Sequence, residues 1–358
     1  MSDGAPAEVS WGERADRAQD ALSRRFGARM VRGGMRNTAP VRPRHAFTFN
    51  YWWLAHVVEA RIDAFDRTAD AGRLRQAERT YAYLLRRNGR SLVNDYFDDM
   101  GWLAIAALRL SDASGTARYL ADSRALWEHI RANGWGASAT TGVAWRTQQP
   151  GYKNVPSTGT FAILSERLFE RTGDARYADA ADAALAWFDE AAIVDAETGL
   201  VYDGVNRIGD GRVDRDWIFS YNQGLYLGVL ALAFDRTGDR AMLDRASRTA
   251  AGAIARLAPA GVVLSETADF DRPGGGDIGL FKGVLLRYAE LLRERLPAGD
   301  DERMLAGLVR TATDALWRGL GSDLRASDEW GHPAPRVTYL STQLSAVIAT
   351  EARARLDA

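Results

Sequence analysis

The sequence predicts an all-α fold in which six inner helices form a ring wrapped by six outer ones, and three observations lead there. Helical segments of two kinds alternate along the chain, the turns between them repeat, and the connections are short in one direction and long in the other. No convincing run of strands interrupts the alternation.

Segments with one charged face fall near residues 12–31, 73–88, 117–132, 177–188, 241–257 and 302–318. In the fourth, Tyr177, Ala180, Ala181, Ala184 and Phe188 share one face while Asp179, Asp182 and Asp189 lie elsewhere, the pattern of a surface helix. Segments with few charges lie between them, at 52–66, 98–110, 156–170, 219–235, 278–293 and 338–351. Helices apolar on most sides are buried ones. Arg171-Thr172-Gly173-Asp174 and Arg236-Thr237-Gly238-Asp239 are near-identical turns from an inner helix into the next outer one, with looser echoes at Ser111-Asp112-Ala113-Ser114 and Pro297-Ala298-Gly299-Asp300. Gly supplies a left-handed stop and Asp a cap for the following helix. The return connections, about 33–50, 134–155, 190–218, 258–277 and 320–337, are long, and long loops in compact domains tend to carry function. They gather at the end of the ring that carries the inner-helix N-termini. The 358 residues divide into an expected flexible N-terminus, residues 1–11, and a single barrel domain, residues 12–358.

Composition narrows the chemistry. A hydrophobic fraction of 46% and a charged fraction of 26% are those of an ordinary globular protein. Lys+Arg 46 against Asp+Glu 47 leaves a net charge of -1, so no field draws the chain to nucleic acid or an anionic membrane. A neutral ligand fits best, and the 11 Trp and 12 Tyr include rings suited to sugar faces. Cys is absent and the four His are scattered, which argues against a metal site; no cofactor is expected. With no leader-like or membrane-length apolar run, the chain as given is expected to be cytoplasmic, or secreted if a signal has been trimmed. A monomer is expected.

Asp98 and Asp99 open an inner helix at the loop-rich end, within Asn94-Asp95-Tyr96-Phe97-Asp98-Asp99-Met100-Gly101-Trp102. Alone, such acids are usually helix-capping residues. At the mouth of a core, burial and mutual repulsion push their pKa values apart, the pairing that glycoside hydrolysis needs. Neighbouring side chains on one helix reach the roughly 5 to 5.5 Å between carboxyls that a retaining glycosidase uses. Trp53, Tyr221, Asn222, Gln223 and Lys282 converge at the same end. Trp145 is a sugar platform or a rim anchor; Asn154 is a hydroxyl-binding amide or a turn residue; Asp203 is a turn Asp or a ligand for vicinal hydroxyls. Asn222 and Gln223 head an inner helix, where burial demands partners. Lys282, a lone cation in an apolar helix, pairs a buried acid or snorkels to the rim.

At these residues the chain resembles glycoside hydrolase family 76, the α-1,6-mannanases. The family pattern appears in order as Asp98-Asp99-Met100-Gly101-Trp102, Tyr152-Lys153-Asn154, Tyr221-Asn222-Gln223-Gly224 and Lys282-Gly283. Leu103 stands in place of a second Trp, and His56 stands where an Asn is expected. The resemblance implies an (α/α)6 barrel and a retaining hydrolase of α-1,6-linked mannan or mannooligosaccharides. It also implies Asp98 as nucleophile and Asp99 as general acid/base. Trp53, Trp102, Trp145, Asn154, Asp203, Tyr221, Asn222, Gln223 and Lys282 are then the expected substrate-binding residues. Three alternatives stand beside this reading: a transglycosylase on the same glycans, a non-catalytic glycan-binding barrel, and a sugar epimerase, the last disfavoured by the few histidines.

Overall fold

The computed structural model describes residues 9–28, 30–45, 48–136, 140–266 and 276–358. Its helices are α1 (Trp11–Phe26), α2 (Tyr51–Thr68), α3 (Ala71–Arg87), α4 (Phe97–Ser114), α5 (Ala117–Asn133), α6 (Val155–Thr172), α7 (Ala175–Glu190), α8 (Ser220–Thr237), α9 (Arg240–Leu257), α10 (Phe281–Arg293), α11 (Asp300–Gly319) and α12 (Leu340–Leu356). The even-numbered helices pack in chain order and α12 returns to α2, which closes the inner ring. Each odd-numbered helix packs outside, α3 on α2, α5 on α4, and so on to α1 on α12. The twelve expected helices and their alternation are therefore present. Among the described residues no helix is long and apolar enough to cross a membrane.

The inner ring is tight because glycines let backbones approach. A Cβ on Gly224 would lie 2.7 Å from the Leu285 Cα, and one on Gly283 would lie 2.7 Å from the Ser345 Cα. Real Cβ atoms do not tolerate such contacts, so the glycines of Gln223-Gly224 and Lys282-Gly283 are packing residues between α8, α10 and α12.

The loops hold more order than the sequence suggested. Two short strands, β1 (Thr38–Ala39) and β5 (Thr338–Tyr339), pair antiparallel. A three-stranded antiparallel sheet joins β2 (Ala144–Arg146), β3 (Gln149–Asn154) and β4 (Gly204–Val205). Part of the expected flexible N-terminus, residues 1–8, lies outside the described residues. The rest of it is ordered: Ser10 and Glu13 form a reciprocal capping box, and Trp11 already begins α1.

The inner-to-outer turns follow the expected chemistry at Gly173 and Gly238, both left-handed, with Asp174 and Asp239 capping the next helix. At Pro297-Ala298-Gly299-Asp300 the echo is only sequential, because Gly299 is extended and Asp300 lies inside α11. A third copy occurs at Arg67-Thr68-Ala69-Asp70, where Asp70 caps the Gly72 N–H. Here Ala69 takes the left-handed position, at φ 54°. An L side chain there is strained by about 1 kcal/mol relative to Gly. Ala69→Gly should therefore stabilise the fold by up to about 0.5 kcal/mol in denaturant titration, the strain relief exceeding the added unfolded-state entropy. A loss of stability would show that the turn is not strained.

Candidate active site

A cleft of about 890 Å³ opens where five of the six inner helices begin. Asp98 and Asp99 occupy the first turn of α4 at its centre. Both are half-buried, open to the cleft and enclosed by protein behind. Asn94, in the loop before α4, donates its amide N–H to Asp99 Oδ2 at 2.8 Å and accepts the Tyr96 N–H on its own oxygen. One oxygen of Asp98, Oδ1, is buried without a hydrogen-bond partner among the described residues.

Burial pushes both carboxyls above the ordinary Asp range, but unequally. Around Asp98 the backbone N–H groups of Asp99 and Asp98 offset part of the desolvation, while the Asp203 and Asp277 charges add to it. Asp99 feels the Asp98 charge directly, relieved only in part by Asn94. The geometry therefore lets Asp98 ionise first and keeps the proton on Asp99.

Two aromatic walls flank the acids. On one side Tyr221 stacks on Phe281 at 3.7 Å, with Trp52 6.2 Å from Phe281. On the other, Trp145 packs edge-on against Tyr96 at 5.5 Å and Tyr152 at 6.0 Å. Trp102 forms the floor, its ring 4.6 Å from His56. His56 itself is fully buried, and burial lowers its pKa to about 3, so the imidazole beneath the floor is neutral. The departure at His56 thus sits behind the cleft and not in it.

Of the expected residues, the cleft brings together Asp98, Asp99, Trp102, Trp145, Asn154, Asp203 and Tyr221. Asn154 is extended and caps α6 through the Ser157 N–H, so it is a helix cap and not a left-handed turn residue. Asp203 is no turn residue either: it is buried, receives Asn222 Nδ2 at 2.9 Å and the Tyr152 hydroxyl, and burial raises its pKa to about 6.

Four expected sugar ligands stand behind the lining instead. Asn222 is spent on Asp203, and Gln223 bonds the Val201 N–H and both the Val201 and Phe219 carbonyls. Lys282 is fully buried against Asp328, 3.0 Å from its carboxylate and donating also to its backbone carbonyl. Trp53 is buried and donates its indole N–H to Asp277 Oδ1 at 2.9 Å. Apart from Asn222 Oδ1, which is buried without a partner among the described residues, their polar groups are engaged by protein, and all four stand behind the cleft lining.

Asp277 is a cleft residue that the sequence reading did not single out. It lies on the cleft wall in a 3-10 turn, Gly276–Leu280, and its Oδ1 also accepts the Trp52 N–H at 3.1 Å. The one available signal was the tandem Trp52-Trp53, whose two indole donors call for an acceptor.

Raised carboxyl pKa values carry a stability cost. The ionised pair destabilises the fold above its folded pKa values, whereas below about pH 4, where folded and unfolded carboxyls are both protonated, that cost is gone. The double variant Asp98→Asn, Asp99→Asn should therefore melt about 2–4 °C above the native protein at pH 8, with the gain fading toward pH 4. A pH-independent difference would mean that the pair is not strained by burial.

The profile of glycosyl hydrolase family 76 matches residues 10–354. A Listeria innocua protein of known structure, Lin0763, is 34% identical, superposes with a TM-score of 0.90 and shares 98% of each chain. An inactive variant of an α-1,6-mannanase from Salegentibacter sp. HEL1_6, two adjacent aspartates replaced by asparagine, is known in complex with α-1,6-mannotriose. It is 33% identical over 97% of this chain and 100% of that one, with a TM-score of 0.89. A Candida glabrata mannan endo-1,6-alpha-mannosidase is 34% identical over 88 residues, 24% of this chain and 20% of its own length. A Schizosaccharomyces pombe relative is 25% identical over 213 residues, 54% of this chain and 47% of its own, so the matches span less than half of either yeast protein. With the profile running along nearly the whole chain and an adjacent aspartate pair in the mouth of a closed helical barrel, this protein belongs to glycosyl hydrolase family 76.

Proposed function

We propose that the protein is a retaining glycoside hydrolase that cleaves α-1,6-linked mannan or mannooligosaccharides. The observation that carries this reading is the Asp98-Asp99 pair in the first turn of α4, open to a cleft with two aromatic walls. The Salegentibacter mannanase lends support, since the variant with two adjacent aspartates replaced is inactive and binds α-1,6-mannotriose. The chain's other adjacent pair, Asp300-Asp301, opens the outer helix α11 and does not line the cleft.

In this reading the ionised Asp98 attacks the anomeric carbon while Asp99 gives its proton to the departing glycosidic oxygen. The glycosidic bond breaks as a glycosyl ester forms on Asp98. Water then attacks the same carbon, Asp99 takes its proton, and the ester bond to Asp98 breaks. The positive end of α4 favours the Asp98 carboxylate between turnovers. Asp203, held by Tyr152 and Asn222, is oriented to receive sugar hydroxyls, and the aromatic walls offer faces for the rings on either side.

Asp98→Asn should lower turnover of an activated aryl α-mannoside by about 10³-fold or more with the fold intact, because an amide cannot form the ester. Because adjacent side chains leave no room for the water of an inverting pair, NMR of fresh hydrolysate should show the α-anomer first; a first-formed β-anomer would overturn the mechanism.

Asp277 contributes to the pH range. Burial raises both carboxyls most and the Asp277 charge raises them further, while Asn at this position keeps an acceptor for the two indoles. In Asp277→Asn both pKa values fall, so both limbs of the kcat/KM profile should move to lower pH, the alkaline limb by up to about one unit. An unmoved alkaline limb would remove Asp277 from the electrostatics of the pair.

A further inference from the structure

A second concavity, about 600 Å³, opens at the same end of the barrel between the loop preceding α2 and the loop preceding α12. Arg42, His45, Arg336 and Tyr339 line it together with Pro43 and Pro335, and among the described residues no acidic side chain does. The walls are built. Pairing of β1 with β5 sets Thr38 opposite Tyr339 and Ala39 opposite Thr338, which lays the two loops side by side. Beneath them Arg325, fixed by Asp323 at 2.6 Å, donates to the carbonyls of Ala39, Pro335 and Arg336 at 3.2 to 3.3 Å. One guanidinium thus ties both loops at the base of the cavity, and two prolines limit the freedom of its sides.

Many arginines of this chain pair with carboxylates, and several of them bridge neighbouring helices. Arg42 and Arg336 differ: among the described residues neither guanidinium has a carboxylate partner, and both side chains are exposed at the cavity. Two unpaired cations in one concavity, on a chain whose net charge is -1, form a local positive field that an oxyanion relieves. The guanidinium fork matches such oxygens in pairs. Two forks offer more donors than one carboxylate can use, and a phosphoryl group has the oxygens to meet them.

The cavity adjoins the catalytic cleft. Tyr339 packs edge-on against Trp53 at 6.4 Å, and Trp53 holds Asp277 on the cleft wall. Resting on the hydrolase reading above, we infer that this cavity is an anion subsite that takes a phosphate ester carried by the glycan whose sugar chain occupies the cleft. The substrate class is then an anionic, phosphate-bearing mannan, with Arg42 and Arg336 as specificity-determining residues remote from the reacting bond.

Two measurements on the full chain test this. Calorimetric titration with mannose 6-phosphate and with inorganic phosphate should show binding that weakens with salt and falls at least about tenfold in Arg42→Ala, Arg336→Ala. Kinetics on α-1,6-mannooligosaccharides with and without a phosphate ester should show a lower KM for the phosphorylated chain. In the double variant that advantage should vanish, with kcat and the KM for the neutral chain unchanged. Absence of arginine-dependent phosphate binding would overturn the inference. Binding of inorganic phosphate without any KM advantage would overturn it as well, by making the cavity a free-anion site. If neutral chains are not hydrolysed yet mannose 6-phosphate binds through the two arginines, the hydrolase reading fails and the subsite stands.

Discussion

Asp63 receives three guanidiniums from three other inner helices, Arg109 of α4, Arg287 of α10 and Arg355 of α12, each at 2.8 Å. Glu59, one turn earlier on α2, accepts from Arg109 and Arg287 as well. These contacts cross the inside of the ring and lock four of its six helices to one another. The cations hold the Asp63 carboxyl far below the usual range, so the network stays charged. Breaking one partner of such a network strands a buried charge, at a cost of about 3–5 kcal/mol. The cleft rests on it: Arg287 donates to His56 Nδ1 at 3.2 Å, and His56 carries the Trp102 floor.

Above that floor, positive and negative influences meet on one helix terminus. The first backbone N–H groups of α4 favour a carboxylate at Asp98, whereas burial and the charge of Asp98, with Asp277 adding to them, disfavour a second charge on Asp99. Each flanking acid is fixed by donors that leave its charge in place, Tyr152 and Asn222 for Asp203, two indoles for Asp277. The proton on Asp99 therefore depends on burial, on Asp98 and on Asp277 together, not on the pair alone.

The helices were legible because a 3.6-residue period repeats over many turns, and the face read for α7 is the buried face observed. The adjacent aspartates were legible for the same reason, as an exception to an otherwise apolar segment. Strands of two to six residues were not, since their pairing lies between loops distant in sequence, such as Thr38 with Tyr339. Partners at long range escaped likewise. Lys282 announced a buried acid, yet nothing in its neighbourhood pointed to Asp328, and Asn94 gave no sign of its bond to Asp99 until α4 was in place. Residues whose meaning depends on a distant partner acquire it only with the fold.

Tyr152 and Lys153 are neighbours on β3, so they face opposite ways: the phenol reaches Asp203, and the ammonium, its pKa lowered by burial to about 8, turns to the Gly134 carbonyl. The pairing of β2 with β3 carries a register irregularity between Ala144 and Arg146. Slipping the hairpin by one residue would exchange a neutral donor for a cation beside Asp203 and turn a carboxyl poised near neutrality into a fixed anion. Lys153 on the opposite face is fully buried as well, so a change in the length of this hairpin alters both what stands beside Asp203 and what fills the space behind it.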